Sequence, residues 1–114
     1  MSWKELVNSE SFAWNVLSNE VDITNKSPEE LSFLLHKSIF NIEEKSFFKY
    51  IDWLAKLLDL NPNDRLLEIG CGNGSLLLGL NQRVQIEPFG LDISEPLINI
   101  CHRIYPNYKD NFSI

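Results

Sequence analysis

The distribution of glycine constrains this chain more than any other sequence feature. All five glycines of the 114-residue sequence lie between residues 70 and 90, and residues 1–60 contain none. Glycine weakens helix interiors and is typical of tight turns and close backbone contacts. The first half of the chain is therefore predicted to be helical. The second half is predicted to hold strands joined by tight loops.

Helix signals are clearest between residues 27 and 60. Ser27 followed by Pro28 is a typical helix start, and apolar residues then recur at helical spacing up to residue 40. Asn41 is predicted to cap the next helix. The apolar stripe of that helix is formed by Phe47, Ile51, Leu54 and Leu58. Residues 1–22 carry loosely spaced aromatic and aliphatic residues, which indicate one or two short helices.

Short apolar runs alternate with helix-like segments after residue 61. A short helix is predicted to start at Ser75, and a longer one to be capped by Ser94. The predicted strands are residues 66–69, 89–92 and 111–114. Strands that alternate with helices in this order favour parallel pairing with right-handed crossovers.

Composition excludes several classes of protein. The sequence has 10 Lys and Arg against 16 Asp and Glu, a net charge of −6, which argues against binding to nucleic-acid phosphates. No apolar run approaches the roughly 20 residues that span a bilayer, and no signal-peptide pattern opens the chain. Two cysteines, Cys71 and Cys101, argue against a disulfide framework and indicate a reducing compartment, the cytoplasm.

The segment Glu68-Ile69-Gly70-Cys71-Gly72-Asn73-Gly74 joins the first predicted strand to its helix. Its glycines permit a sharp turn, let a ligand approach the main chain, and allow the helix to start against the strand. Glu68 lies at the end of the strand, where its carboxylate can face a positive charge on a ligand.

Asp92 closes the second predicted strand, 18 residues after Gly74. An acidic side chain at this place can accept hydrogen bonds from two ribose hydroxyls, and Ile93 beside it could pack against a nucleobase. Two acids and a glycine loop suit a nucleoside that carries a cationic or zwitterionic tail. Glu68 would repel a pyrophosphate.

Residues 66–74 closely resemble the first motif of class I (Rossmann-like) S-adenosylmethionine-dependent methyltransferases, and residues 89–94 resemble their second motif. The resemblance covers residues 45–114 and implies S-adenosyl-L-methionine as the cofactor. It implies that Gly70, Cys71 and Gly72 contact the methionine part through main-chain atoms, with Gly74 completing the motif. It further implies that Glu68 holds the amino group, that Asp92 holds the ribose and that Ile93 lines the adenine.

The sequence departs from this family in extent. The family's domain has seven strands, whereas two strands and the start of a third are predicted here, so no catalytic residue can be assigned. We expect a truncated α/β Rossmann-like fold, with residues 1–60 as a helical lead or cap and residues 61–114 as the first half of the domain. The first strand would then have a bare edge. Self-association, a completing chain or the helical lead is expected to cover it, and a fragment of a longer protein is the favoured explanation.

Several interpretations of the function remain open. The chain could be a methyltransferase for a small-molecule or protein acceptor, or a non-catalytic adenosyl-binding module that needs a partner chain. A dinucleotide site is less favoured, because its fingerprint asks for glycine where Ser75 stands. His36 and His102 lack metal-ligand spacing, so no metal site is predicted. Three tryptophans could form a lid over the cofactor, although such residues more often pack in a core or an interface. They are Trp3, Trp14 and Trp53.

Overall fold

A computed structural model of the chain describes Ile23 and residues 25–114. Trp3 and Trp14, and the short helices predicted before residue 22, lie outside the described residues. The helices are α1 (Pro28–Ile39), α2 (Glu44–Leu57), α3 (Ser75–Asn81) and α4 (Glu95–Ile104), followed by a 3₁₀ segment (Pro106–Asn111). The strands are β1 (Arg65–Ile69), β2 (Glu87–Leu91) and β3 (Phe112–Ser113).

The three strands form one parallel sheet in the order β1-β2-β3. Leu67 pairs with Phe89 across the first two strands, and Gly90 pairs with Phe112 across the next two. The predicted parallel α/β arrangement is therefore confirmed. The second strand begins two residues earlier than predicted, at Glu87.

The starts of α1 and α4 follow the sequence signals. The Ser27 hydroxyl accepts a hydrogen bond from the Glu30 N–H at 3.2 Å, and the Ser94 hydroxyl accepts one from the Leu97 N–H at 3.4 Å. The prediction that Asn41 caps the next helix is wrong. The chain stays extended through Glu43, with Ile42 packed against the core, so α2 begins only at Glu44 and has no side-chain cap.

A single buried cluster runs through all four helices and reaches the sheet. Its fully buried members include Leu35, Phe47, Ile51, Leu77, Leu80 and Cys101. Helix α2 lies directly on α3, because a Cβ placed on Gly79 would come within 2.9 Å of the Ile51 side chain. In the described part of the chain, α1 and α2 thus share one core with the sheet, and the predicted division near residue 60 stays a prediction.

The two faces of the sheet differ in how far other parts of the described chain bury them. The side chains of Leu66 and Pro88 point toward the helices, and Pro88 is fully buried. On the opposite face Leu67 is 53% exposed and Ile69 is 80% exposed. We call this opposite face the bare face; it is formed by the side chains of Arg65, Leu67, Ile69, Glu87, Phe89 and Leu91.

The edge of β1 that lies away from β2 has no partner strand among the described residues. The β2 backbone binds the Asp64 carbonyl at 2.8 Å and the Gly70 N–H at 2.7 Å. Hydrogen-bonding direction alternates along a strand, so the even-numbered residues of β1 bond to β2. Leu67 and Ile69 therefore direct their backbone groups away from the sheet, and the predicted bare edge is present in the described residues.

Across the described residues, no helix combines the length and the apolar character that a membrane span requires.

Candidate functional site

A cavity of about 350 Å³ opens at the carboxyl end of β1, where the glycine loop leaves the sheet. Strand ends and loops of parallel sheets converge at this edge, which makes it the usual place for ligands in such folds. Five of the residues predicted for the site line this cavity: Glu68, Gly70, Cys71, Gly72 and Asp92.

Glu68 brings an unsatisfied carboxylate oxygen to the cavity. Its Oε1 atom is buried and has no hydrogen-bond partner among the described residues. Burial, with a further contribution from the negative charge of Asp92, raises the pKa of Glu68 to about 7. A buried carboxylate without a partner is costly unless a donor or a cation meets it. The position is therefore suited to an ammonium group.

Asp92 is held in a different way. Its Oδ2 atom accepts a hydrogen bond from the Gly72 N–H at 2.9 Å, and its Oδ1 atom accepts one from the Ser94 N–H at 2.8 Å. Each carboxylate oxygen has a second lone pair, so both can still accept from a ligand hydroxyl. Asp92 thus fixes the glycine loop in place and keeps acceptor capacity at the cavity.

The glycine loop uses its N–H groups within the protein. Both Gly70 and Cys71 donate to the Leu91 carbonyl, at 2.7 and 3.0 Å, and Gly72 donates to Asp92. A phosphate-binding loop needs such N–H groups free to face the anion. This loop therefore presents two acidic side chains and already bonded amides, an environment for a cation rather than for a phosphate.

Comparison with known families identifies the chain. The sequence profile of a family described as "Methyltransferase domain" matches residues 42–113. The chain belongs to this family. No curated protein sequence matches it.

Two solved structures resemble this methyltransferase-domain chain. One is an S-adenosylmethionine-dependent methyltransferase from Geobacter sulfurreducens in complex with S-adenosyl-L-homocysteine, 23% identical, with a TM-score of 0.47 over 73% of this chain. The other is YjhP from E. coli, 20% identical, with a TM-score of 0.48 over 88% of this chain. The matched region is 34% of either structure, so the chain spans about a third of their length.

The structure does not bring two of the predicted site residues to the cavity wall. Gly74 is buried under α4, where an added Cβ would come within 3.0 Å of the Tyr105 ring, and the Tyr105 hydroxyl donates to its carbonyl at 2.9 Å. Its positive φ of 80° also favours glycine at this start of α3. Ile93 is 62% exposed beyond the cavity lining. The roles assigned to both stay predictions.

Sequence reasoning missed the wall of the cavity that comes from α1 and α2. His36, Phe40 and Tyr50 line it together with the glycine loop. His36 Nδ1 lies 3.1 Å from the Ser75 hydroxyl, its ring is 4.9 Å from that of Phe40, and burial lowers its pKa. No local motif marks these positions, because they reach the loop only through helix packing.

Asn73 ties that wall to the loop. Its side-chain amide donates to the Leu35 carbonyl of α1 at 2.9 Å, and its Oδ1 accepts from the Ser75 N–H at 3.3 Å. His102 has a separate structural contact, with its Nε2 atom 2.8 Å from the Phe112 carbonyl. The described residues contain no group of three or more His, Cys, Asp or Glu that could hold a metal ion.

Proposed function

We propose that this chain forms the cofactor-binding part of an S-adenosyl-L-methionine-dependent methyltransferase, with a small molecule or a protein as its methyl acceptor. Membership of the methyltransferase-domain family supports the reaction type. The net charge of −6 favours such acceptors over nucleic acid. No residue of the chain is proposed as a catalytic base.

The unpartnered Oε1 atom of Glu68 carries this proposal. The α-ammonium group of the methionine part would supply both the hydrogen bond and the positive charge that this buried oxygen lacks. Two acids at one cavity, Glu68 and Asp92, fit a ligand that is cationic at one end and bears ribose hydroxyls nearby. The residues present therefore fit the cofactor.

The remaining residues would orient the cofactor. Asp92 would accept from the ribose hydroxyls through its free lone pairs, and Ile93 would lie against the adenine. The main chain of Gly70, Cys71 and Gly72 would contact the methionine part, with Gly74 supporting the loop from below. When bound, S-adenosyl-L-methionine supplies an electrophilic methyl group. The protein contributes by holding that group in position for an acceptor.

Two rival functions are less well supported. A dinucleotide module would need free loop N–H groups for its pyrophosphate, but those of Gly70, Cys71 and Gly72 are bonded within the protein. A non-catalytic adenosyl-binding module would use the same cavity and differs only in lacking methyl transfer.

Both cysteines are free thiols, which supports a reducing compartment, and we propose the cytoplasm.

Calorimetric titration of the chain with S-adenosyl-L-homocysteine, S-adenosyl-L-methionine and NAD tests this function. We expect both adenosyl ligands to bind and NAD not to bind. Glu68→Gln should weaken the binding of S-adenosyl-L-homocysteine about tenfold or more, because a hydrogen bond to a charged partner contributes about 1.5–3 kcal/mol. Glu87→Gln, which removes a carboxylate on the bare face, is the matched control and should bind like the wild type.

The pH dependence of binding gives a second measurement on the same site. Glu68 must be ionised to attract an ammonium group, and its pKa is about 7 in the free protein. The affinity for S-adenosyl-L-homocysteine should therefore fall as the pH is lowered from 8 to 6, and Glu68→Gln should flatten this profile. No binding of either adenosyl ligand would refute the proposal. Methyl transfer by the chain to any acceptor would exclude the non-catalytic alternative.

A further inference from the structure

Two buried thiols lie beneath the glycine loop. Cys71 belongs to the loop itself and lines the cavity, whereas Cys101 lies on α4 and is fully buried. The Cys101 thiol donates to the Gly72 carbonyl at 3.3 Å, and the Cys71 thiol donates to the same carbonyl at 3.7 Å. Both sulfurs therefore meet at one main-chain oxygen of the proposed cofactor site.

The two sulfurs also occupy space that glycines leave open. A Cβ on Gly90 would come within 2.6 Å of Cys71 Sγ, and a Cβ on Gly74 within 3.2 Å of Cys101 Sγ. The neighbouring Cys71 thiol, together with burial, raises the pKa of Cys101 above its ordinary value. Close packing against these two glycines thus fixes the position of each sulfur.

We propose that Cys71 and Cys101 are a redox-sensitive dithiol, which a small hydroperoxide oxidises to a disulfide, and that this disulfide weakens adenosyl-ligand binding. The second part of this inference rests on the proposed function. With hydrogen peroxide, one oxidant and two thiols give one disulfide and two molecules of water.

The order of events follows from burial. Cys71 lines the open cavity, so its sulfur attacks one peroxide oxygen and the O–O bond breaks. A sulfenic acid forms, and the departing hydroxide takes the Cys71 thiol proton to leave as one water. The sulfur of Cys101 then attacks the Cys71 sulfur, the S–O bond breaks, and the leaving oxygen takes the Cys101 proton to depart as the second water. Cys101 can take this second step because its sulfur lies at the same Gly72 carbonyl as the sulfur of Cys71.

The disulfide would change the loop because its two sulfurs must lie closer together than the sulfurs of two unbonded thiols. Bonded sulfurs lie about 2.05 Å apart, well inside any thiol hydrogen bond. Closing that gap pulls the loop toward α4 and removes both S–H donors from the Gly72 carbonyl. Gly72 also carries the N–H that Asp92 binds, so the displacement reaches both acids of the site. A ligand in the cavity should in turn slow the oxidation.

The experiment compares reduced chain, chain treated with one equivalent of hydrogen peroxide, and treated chain returned to dithiothreitol. We expect the treatment to remove both titratable thiols, to lower the intact mass by two hydrogen atoms and to weaken S-adenosyl-L-homocysteine binding at least tenfold. Reductant should restore both thiols and binding. Saturating ligand present during the treatment should slow the loss of thiols.

Cys101→Ser is the control, because a serine hydroxyl can still donate to the Gly72 carbonyl. The reduced variant should bind S-adenosyl-L-homocysteine like the wild type, and peroxide should produce no loss of two hydrogen atoms. Retention of both thiols in the treated wild type, a disulfide between two chains, or an internal disulfide with unchanged affinity would each overturn the proposal.

Failure of the proposed function is distinguishable from failure of this inference. If the reduced chain binds no adenosyl ligand, the proposed function is wrong, while thiol count and mass still report the disulfide. Amide hydrogen exchange at residues 70–74 then decides whether the disulfide alters the loop. A changed exchange rate there supports the inference, and an unchanged rate overturns it.

Discussion

The two faces of the three-stranded sheet carry similar apolar side chains and have opposite surroundings. On the helical face Pro88 is fully buried and Leu66 packs against the core, whereas on the bare face Ile69 is 80% exposed. Both sets come from the same two strands and alternate along them, as expected for a strand that is apolar on both sides. The sequence of β1 and β2 is therefore suited to two covered faces, and the described residues cover one.

The difference also separates the candidate site from the surface that we predict to associate. Glu68 and the glycine loop lie at the top of the helical face, where burial shifts a carboxylate pKa and restricts water. The bare face holds an exposed ion pair, Arg65 with Glu87 at 3.8 Å, and a cation–π contact between Arg65 and Phe89. Charges there stay close to solvent and contribute little.

The largest expected effect is a loss of stability in the helical core. Phe47→Ala removes a fully buried ring and should lower the free energy of unfolding by about 3–5 kcal/mol. Leu67→Ala on the bare face should change it by no more than about 0.5 kcal/mol, because that side chain is already half in water. Urea denaturation of both variants checks this contrast. Equal losses would mean that the bare face is packed in solution.

Glu68 provides the next effect, and its size depends on pH. Its pKa in the fold, about 7, is above its ordinary value of 4.5, so the folded state is destabilised as the pH rises through this interval. Glu68→Gln should therefore stabilise the ligand-free chain by about 3 kcal/mol at pH 8 and have no effect at pH 4. Thermal denaturation at the two pH values measures this. Glu87→Gln should show no such pH-dependent gain.

Asn73 tests the link between α1 and the loop. Asn73→Ala removes one of the two side-chain donors to the Leu35 carbonyl, which keeps the Ser38 hydroxyl, and leaves the buried Ser75 N–H without its acceptor. The substitution should cost about 1–3 kcal/mol of unfolding free energy. Hydrogen exchange should speed up in α1 and in residues 70–74 together. The exposed Asn107→Ala is the control and should leave both segments unchanged. Faster exchange in the loop alone would show that α1 is held by other contacts.

The smallest effect concerns association through the bare face. The exposed edge and apolar side chains predict concentration-dependent self-association, measurable by sedimentation velocity. Leu67→Lys should raise the dissociation constant about tenfold, which corresponds to about 1.4 kcal/mol. Leu57→Lys, on an equally exposed site of α2, should have little effect. A chain that stays monomeric at high concentration would contradict this prediction.

Local signals predicted much of the fold because the contacts they report are local. Ser27 and Ser94 cap the helices they precede, and the β–α–β–α–β order gave the parallel sheet. Asn41 failed as a cap because a contact distant in sequence, Ile42 against the core, kept the chain extended past it. Leu58 is exposed at the end of α2 for a similar reason, since periodicity does not reveal where packing stops.

The candidate site shows the same division. Glu68 and Asp92 could be placed at one cavity because parallel strands deliver their carboxyl ends to one edge. The contributions of His36, Phe40 and Tyr50 could not be predicted, since they depend on how α1 and α2 lie against the loop. The unpartnered oxygen of Glu68 and the bonded amides of the loop are also invisible in a sequence.

The amino-acid sequence by itself determined the order of elements, the glycine turn and the acids at both strand ends, because backbone preferences and strand direction act over a few residues. Tertiary structure alone decided that Asp92 restrains the Gly72 amide, that two thiols share the Gly72 carbonyl, and that the described residues cover only one face of the sheet. These features depend on side chains tens of residues apart meeting in space. That meeting is fixed by the packing of the whole core and by no local preference.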